Sequence, residues 1–245
     1  NKPIVVSNAC ISGVVAIIIA SRLLREGRFQ NVIVTGADIL SEFVVSGFQS
    51  FKAISPEPCK PFDARRDGMS IGEGCGTIVL TLDQQYIPDE HRILVTGCSG
   101  SNDANHISGP SMTGEGLYTA IRNALDEADL LPVDIDFISA HGTATPYNDE
   151  MEAKALTMAR LNNKPVNSLK GYFGHTLGAA GILESVAAIH SMKENLLIKT
   201  LGYSEHGVSC ELNVVKELIG CEINRCIKTA SGFGGCNAAI LFEKK

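Results

Sequence analysis

Four short polar or glycine-rich segments contain the residue types that could carry out chemistry on a thioester. They are N-A-C-I-S-G at residues 8–13, H-G-T-A-T at 141–145, G-H-T-L-G-A-A-G at 174–181 and G-F-G-G-C-N at 232–237. A cysteine thiolate is a nucleophile, imidazoles donate hydrogen bonds and transfer protons, and free backbone N–H groups stabilise an oxyanion. Together these groups indicate a site that handles an acyl thioester.

Cys10 is the candidate nucleophile because it lies at the start of a predicted helix. The unpaired N–H groups and the positive dipole end of that helix would favour its thiolate. The alternative is that Cys10 is a small buried hydrophobe, and that His141 and His175 are ordinary hydrogen-bonded residues at strand ends. The glycines at 232–235 could equally form a tight turn. Only the conjunction of the four segments favours a functional site.

The hydrophobic pattern predicts the elements that must position these segments. Helices are expected over residues 11–26, 114–128, 149–161 and 177–193. Strands are expected over residues 3–7, 31–36, 76–82, 93–97, 136–140, 165–168, 227–230 and 238–242. Strands alternating with helices predict a layered α/β fold. In such folds ligands bind at the carboxyl ends of strands, where most of the polar segments fall.

Composition limits the function classes. Of 245 residues, 44% are hydrophobic and 20% are charged, which is typical of a compact globular protein. The net charge of -6 disfavours general binding to nucleic acid or anionic membrane. Residues 14–20, the longest strongly apolar run, are too few to span a bilayer, and no secretory signal is recognisable. The chain is therefore expected to be soluble. Eight cysteines without a C-x-x-C pair favour free thiols over disulfides or a metal site, and free thiols indicate a reducing compartment such as the cytoplasm.

The motifs resemble, in order, those of β-ketoacyl synthases. N-A-C-I-S-G is similar to the family's nucleophile motif, H-G-T-A-T-P-Y-N-D to its first histidine motif, and S-L-K-G-Y-F-G-H-T-L-G-A-A-G-I-L-E to its second. P-F-D-A-R-R-D-G-M-S-I-G-E-G-C-G at 61–76 and G-F-G-G-C-N-A-A-I resemble two further blocks. The resemblance implies a thiolase-like layered αβαβα fold of two similar halves. We place an incomplete first half with the nucleophile at residues 1–100, and the second half with both histidines at 101–245.

The resemblance also implies an activity, that of an acyltransferase of the 3-oxoacyl-[acyl-carrier-protein] synthase type in fatty-acid or polyketide synthesis. Cys10 would accept an acyl group, and His141 and His175 would stabilise the enolate formed when a malonyl thioester loses carbon dioxide. The backbone N–H groups of Cys10 and Phe233 would hold the oxyanion, and the Phe233 side chain would act as a mobile gate. Acyl carrier protein would deliver both substrates on its phosphopantetheine, and the chain itself would bind no cofactor.

Other positions match the family pattern less directly. Lys170 and Glu184 match a charged pair that supports the second histidine; the alternative is an exposed helix-surface pair that contributes little to stability. Three positions are assigned to substrate binding: Thr143, Thr145 and Gly234. Three others are expected to be structural: Asp63, Arg66 and Glu73. The sequence departs from the family pattern at Ile11, Ala144 and Cys236, which replace a smaller residue, a glycine and a threonine.

The position of Cys10 is a larger departure, because the family's nucleophile usually follows an N-terminal section of strands and helices. We therefore expect a missing N-terminal section or separate chain, and a homodimer or heterodimer of ketosynthase subunits. A sheet lacking those strands would expose edges and apolar faces, so the chain should not be stable alone. Two alternatives to a condensing enzyme stay open: a non-condensing partner subunit of a ketosynthase heterodimer, whose relatives lack the cysteine, and an acyltransferase on the same fold.

Overall fold

The computed structural model describes residues 2–87 and 92–245. Within these residues the helices are α1 (Ser12–Arg25), α2 (Glu42–Ser50), α3 (Glu115–Ala128), α4 (Pro146–Met158), α5 (Lys170–Phe173) and α6 (Ala180–Glu194). The strands are β1 (Asn31–Asp38), β2 (Gly74–Thr81), β3 (Ile93–Asn102), β4 (Phe137–Ser139), β5 (Val166–Asn167), β6 (Leu196–Leu197), β7 (Ile219–Gly220), β8 (Arg225–Gly232) and β9 (Cys236–Lys244).

The central sheet has five strands in the order β3-β9-β8-β4-β5. Strands β3, β9 and β8 pair antiparallel, whereas β8, β4 and β5 run parallel to one another. The carboxyl ends of these three parallel strands therefore meet at one edge of the sheet. The segments that follow them contain Phe233, His141 and Lys170, so the topology brings these residues together although they are far apart in the sequence.

Side chains alternate between the two faces of this sheet and fill two cores. On one face Ile138, Ile227 and Leu241 pack with residues of α3 and α4. On the other face Phe137, Cys226 and Ile240 pack with residues of α1 and α6. Helices α1 and α6 also contact the small antiparallel sheet formed by β1 and β2. The layers are thus α3 and α4, the five-stranded sheet, α1 and α6, and the two-stranded sheet, which confirms the layered α/β prediction.

Most predicted elements agree with the structure within a few residues, but β3 continues to Asn102, beyond its predicted end at residue 97, and the short elements α5, β6 and β7 were not predicted. Residues 3–7, predicted as a strand, form no regular element. Helix α2 was not predicted; Ser41 caps it by accepting a hydrogen bond from the Val44 N–H at 3.3 Å. Helix α4 begins at Pro146 rather than at residue 149, because proline is tolerated in the first turn of a helix.

The first half presents apolar surface to solvent. Ile33 on β1, Val79 on β2 and Phe43 on α2 have exposed fractions of 70%, 59% and 89%. The expectation that the chain is unstable alone agrees with this surface but stays a prediction. The division at residues 100 and 101 also stays a prediction, although β3 continues across it into the five-stranded sheet. Among the described residues, no helix has the length and apolar character needed to cross a membrane.

Candidate active site

His141 follows the end of β4 by two residues, and its loop is fixed by a buried glutamate of α4. Glu152 accepts hydrogen bonds from the backbone N–H groups of His141 and Gly142 at 2.8 and 2.7 Å. Gly142 has a φ of +42°, and a Cβ built there would lie 2.5 Å from the Cβ of Ser168. Only glycine fits this position. Ala144, which stands where the family pattern has glycine, also has a positive φ, +62°. This left-handed conformation favours glycine.

Lys170 contacts His141 from the neighbouring strand end. Its Nζ lies 3.3 Å from Nδ1 of His141 and donates to the His141 carbonyl oxygen at 2.6 Å. It also donates to Oε1 of Glu184 at 2.5 Å, and both charged side chains are fully buried. The pair is therefore not an exposed surface pair. The pair was expected to support the second histidine, His175, but Lys170 directly contacts the first, His141, because Lys170 and His141 follow adjacent parallel strands. On His175 Lys170 acts through its charge.

His175 is held by the segment at residues 70–72. Its backbone N–H donates to the Ser70 carbonyl at 2.7 Å, and its carbonyl accepts from the Gly72 N–H at 3.1 Å. Gly72 permits this contact, since a Cβ there would lie 1.9 Å from the Phe173 carbonyl oxygen. The imidazole of His175 stands nearly perpendicular to that of His141, with ring centroids 5.2 Å apart. Among the residues that the structure describes, no group forms a hydrogen bond with Nδ1 of His175.

Both imidazoles are neutral at physiological pH. Burial, followed by the positive charge of Lys170, holds the pKa of His141 and of His175 well below the usual value, and Lys228 adds to this effect. An ammonium group has only protons to offer, so Lys170 donates to Nδ1 of His141 and the imidazole proton stays on Nε2. His141 can therefore act as a hydrogen-bond donor through Nε2 without being a cation.

Cys10 lies just before α1, which begins at Ser12, and its side chain is 8% exposed. Burial raises the pKa of the Cys10 thiol to about 11, and the charge of Asp38 adds to this. The charge of Lys170 and the backbone N–H groups of Phe233 and Cys10 act in the opposite direction. Backbone N–H groups at the start of α1 thus favour the thiolate, as expected, but desolvation of the sulfur outweighs them and the net pKa is raised.

The turn after β8 carries Phe233, and an extended network shapes it. The Gly235 carbonyl accepts from the Asp103 N–H at 2.8 Å, and the Gly234 carbonyl accepts from Nδ2 of Asn102 at 2.9 Å. The Gly234 N–H donates to the Ile107 carbonyl at 2.6 Å. Gly234 was assigned to substrate binding, but both of its backbone polar groups are already paired within the protein. The turn lies against the cysteine, since a Cβ built on Gly232 would lie 3.1 Å from the backbone nitrogen of Cys10, and the Phe233 N–H lowers the pKa of the thiol.

The Phe233 ring lies between two aromatic side chains at the end of α2. It stacks on Phe48 with centroids 5.5 Å apart and meets the edge of Phe51 at 5.6 Å. Phe48, Phe233 and Cys10 line a cavity of about 990 Å³ that continues along α1 and β1. The side chain of the predicted gate is thus held by a helix that the sequence analysis did not predict.

The remaining predicted residues lie in the loop after His141 and in the segment at 61–76. The hydroxyl oxygens of Thr143 and Thr145 lie 2.9 Å apart in the loop after His141. Asp63, expected to be structural, accepts hydrogen bonds from the backbone N–H groups of Arg65, Ser204 and Glu205. Its carboxylate therefore joins the segment at 61–76 to the one at 204–205.

Sequence reasoning missed Lys228 in β8. Its Nζ lies 2.7 Å from Oε2 of Glu184, so one buried carboxylate faces two buried ammonium groups. Burial raises the pKa of Glu184, but Lys170 and Lys228 outweigh burial and lower it. The only sequence signal was a charged residue inside an otherwise apolar strand, I-K-T-A, which reads as an outward-facing position.

Two family descriptions match the chain in order. Residues 2–85 match "Beta-ketoacyl synthase, N-terminal domain" and residues 93–204 match "Beta-ketoacyl synthase, C-terminal domain". A 3-oxoacyl-[acyl-carrier-protein] synthase homolog of Saccharomyces cerevisiae is 35% identical over 98% of this chain and 58% of its own length.

Solved structures agree with these matches. A ketosynthase (ApeO) in complex with its chain length factor (ApeC) from Xenorhabdus doucetiae is 32% identical with a TM-score of 0.90, over 98% of this chain and 59% of that one. In a solved complex of a type II PKS acyl-carrier protein with its ketosynthase, one chain matches with a TM-score of 0.92 at 27% identity. The match covers 98% of this chain and 62% of the chain in the complex. The chain thus spans about three fifths of these relatives, and it has their thiolase-like fold. It belongs to the β-ketoacyl synthase family of the thiolase-like superfamily.

Proposed function

We propose that this chain carries the catalytic centre of a condensing enzyme, which joins an acyl group to a malonyl-derived unit on acyl carrier protein in fatty-acid or polyketide synthesis. The observation that carries the proposal is the set of groups around one buried thiol. A Cβ built on Gly232, next to Phe233, would lie 3.1 Å from the backbone nitrogen of Cys10, and the charge of Lys170 acts on the thiol. Nζ of Lys170 lies 3.3 Å from Nδ1 of His141, and the ring centroids of His141 and His175 are 5.2 Å apart.

In the first step the sulfur of Cys10 attacks the carbonyl carbon of an acyl thioester. A new bond forms between this carbon and the sulfur, the bond to the pantetheine sulfur breaks, and the thiol proton leaves with the pantetheine thiolate. The negative oxygen of the tetrahedral intermediate is stabilised by the N–H groups of Cys10 and Phe233. With a pKa of about 11, the thiol is protonated at neutral pH, so deprotonation belongs to this step.

In the second step a malonyl thioester loses carbon dioxide. The electrons of the broken C–C bond form an enolate, whose oxygen is stabilised by N–H donation from the neutral imidazoles of His141 and His175. The enolate carbon then attacks the acyl carbon on Cys10, a new C–C bond forms, and the Cys10 sulfur leaves and recovers a proton. The product stays on the carrier protein as a 3-oxoacyl thioester.

Acyl carrier protein and a second ketosynthase-type subunit are the proposed partners, as in the two structures described above. The loop of Thr143 and Thr145 is the proposed contact for the pantetheine arm, because it directly follows His141 and carries two hydroxyl groups 2.9 Å apart. Gly234 is proposed to act through the shape of its turn rather than through its own N–H, which is occupied by Ile107.

The test is intact-mass analysis of the purified protein after incubation with acyl-carrier protein, together with carbon dioxide release from malonyl-carrier protein. We expect an acyl adduct that Cys10→Gln abolishes, and release that His141→Ala or His175→Ala greatly reduces. Absence of both signals would instead favour the non-condensing partner subunit. An adduct without carbon dioxide release would favour an acyltransferase.

A further inference from the structure

Lys228 is a fully buried lysine that neither the motifs nor the proposed reaction uses. Its Nζ donates to the carbonyl oxygens of Ser139 and Ala140 at 3.2 Å each, and to that of Thr229 at 2.7 Å. An ammonium group has three protons, so these contacts account for all of its hydrogen-bonding capacity. Lys228 thereby joins β8 to the carboxyl end of β4, immediately before His141.

The same ammonium group lies 2.7 Å from Oε2 of Glu184. Among the described residues, this oxygen has no partner at ordinary hydrogen-bond geometry, so the contact is an ion pair. Lys170 donates a hydrogen bond to Oε1 of the same carboxylate. Glu184 is thus held from both sides, by an ammonium group from β8 and by one from the segment that follows β5.

Lys228 is one of two buried lysines near three buried carboxyl groups around the loop of His141. The lysines are Lys170 and Lys228, the carboxyl groups are those of Glu184, Glu152 and Asp149, and all five side chains are almost completely buried. Glu152 contacts the strand of Lys228 through Thr229, whose hydroxyl donates to it at 2.7 Å. Removal of Lys228 alone would take one of the two counter-charges from these carboxyl groups, which is costly in a medium of low dielectric constant.

We propose that Lys228 is a positioning residue for the condensation, because it holds the Glu184 carboxylate between two ammonium groups and so keeps the ammonium of Lys170 directed at Nδ1 of His141. This inference rests on the proposed function. Among the described residues, Lys228 forms hydrogen bonds only with carbonyl oxygens and an ion pair with Glu184, and it bonds to neither the thiol nor an imidazole. It acts through Glu184 and Lys170, and the property that it sets is the proton arrangement of the donor imidazole.

The charged and titratable groups that face His141 come from several elements: Lys170 of α5, Lys228 of β8, Glu184 of α6, Glu152 of α4 and His175. Lys170 and Lys228 lower the pKa of both histidines. Removal of the charge of Lys228 should therefore raise both pKa values. It should also weaken the preference of His141 for the form with its proton on Nε2, because Lys170 is then held less firmly.

The experiment is an NMR titration of the purified protein with ¹⁵N-labelled histidine, comparing wild type with Lys228→Met. Methionine has a similar length and no charge. We expect the pKa of His141 and of His175 to rise above the wild-type values, because a nearby positive charge is lost, and the Nε2–H form of His141 to lose population. The acid limb of the pH profile of carbon dioxide release should move to higher pH by a similar amount.

Lys244→Met is the matched control, because Lys244 lies on the adjacent strand β9 and its Nζ bonds to the Met192 carbonyl and the Asn195 side chain, away from Glu184. If Lys228→Met changes the imidazoles no more than Lys244→Met does, the proposal is wrong. Should Lys228→Met fail to fold, Lys228→Gln keeps a donor for the carbonyl oxygens; failure of both variants would leave only a structural role and overturn the proposal. The titration needs no substrate, so its outcome is independent of the acyl-adduct test of the proposed function.

Discussion

Glu184→Gln should destabilise the protein strongly, because the neutral amide offers at most one oxygen to two buried ammonium groups that now face both oxygens of a carboxylate. The carboxylate oxygens lie 2.5 and 2.7 Å from the ammonium nitrogens of Lys170 and Lys228. Breaking one buried pair costs about 3–5 kcal/mol. Glutamine can still accept from one lysine, but its NH₂ group then faces the other. We expect a loss of at least about 3 kcal/mol from a total that is usually about 5–15 kcal/mol.

The loss should depend on pH. Burial already lowers the pKa of Lys228, and without Glu184 it falls further. A lysine whose pKa is lower in the folded state than in the unfolded state binds fewer protons when folded, so stability rises with pH between the two pKa values. Part of the loss in Glu184→Gln should therefore be recovered as the pH rises from 7 towards 10.

The assay is denaturant unfolding of the purified protein, followed by circular dichroism at several pH values. Glu57→Gln is the control, because its pair with Lys60 at 2.9 Å is on the surface, with the Glu57 side chain 67% exposed. That variant should lose no more than about 1 kcal/mol at any pH. The reasoning is refuted if Glu184→Gln costs no more than the control, or if its cost is independent of pH.

Three further predictions concern the thiol, the loop of His141 and the gate. Alkylation of Cys10 by iodoacetamide should accelerate about tenfold per pH unit from 7 upwards and level off near its pKa of about 11; a plateau near pH 8 would contradict a desolvated thiol. Burial raises the pKa of Asp149 to about 6, so wild type should lose up to about 3 kcal/mol of stability relative to Asp149→Asn as pH rises from about 3 to about 7; equal pH dependence in unfolding experiments would count against this. Phe51→Ala should slow acylation of Cys10, measured by intact mass, by about 2–10-fold because Phe233 loses an aromatic contact, whereas Phe43→Ala, at a fully exposed ring, should not.

The sequence was sufficient to predict which residues would meet, because the segments of His141, Lys170 and Phe233 each follow a short apolar strand. Parallel strands place such segments at a common edge, so the layered fold and the centre could be predicted together. The lengths of the main helices followed from the spacing of apolar residues, as in α1 and α3.

Other features depend on contacts between distant residues and left no local signal. Lys228 is buried against carbonyl oxygens of β4 and against Glu184 of α6, and nothing in the strand pattern of β8 indicates these partners. The pKa of Cys10 depends on how completely the surrounding side chains exclude water, which the helix start alone does not determine. Gly72 reads as one glycine among many, although the Phe173 carbonyl occupies the space of its missing side chain.

The parallel arrangement of β8, β4 and β5 has a consequence for engineering. The separation of the reacting groups is set by the spacing between neighbouring strands rather than by the length of chain that connects them. An insertion at the exposed turn after α3, next to Leu131, would lengthen the path from Cys10 to His141 without moving either end. Tags or sensor modules placed there should therefore be tolerated, whereas even one added residue between the end of β4 and His141 would displace the imidazole.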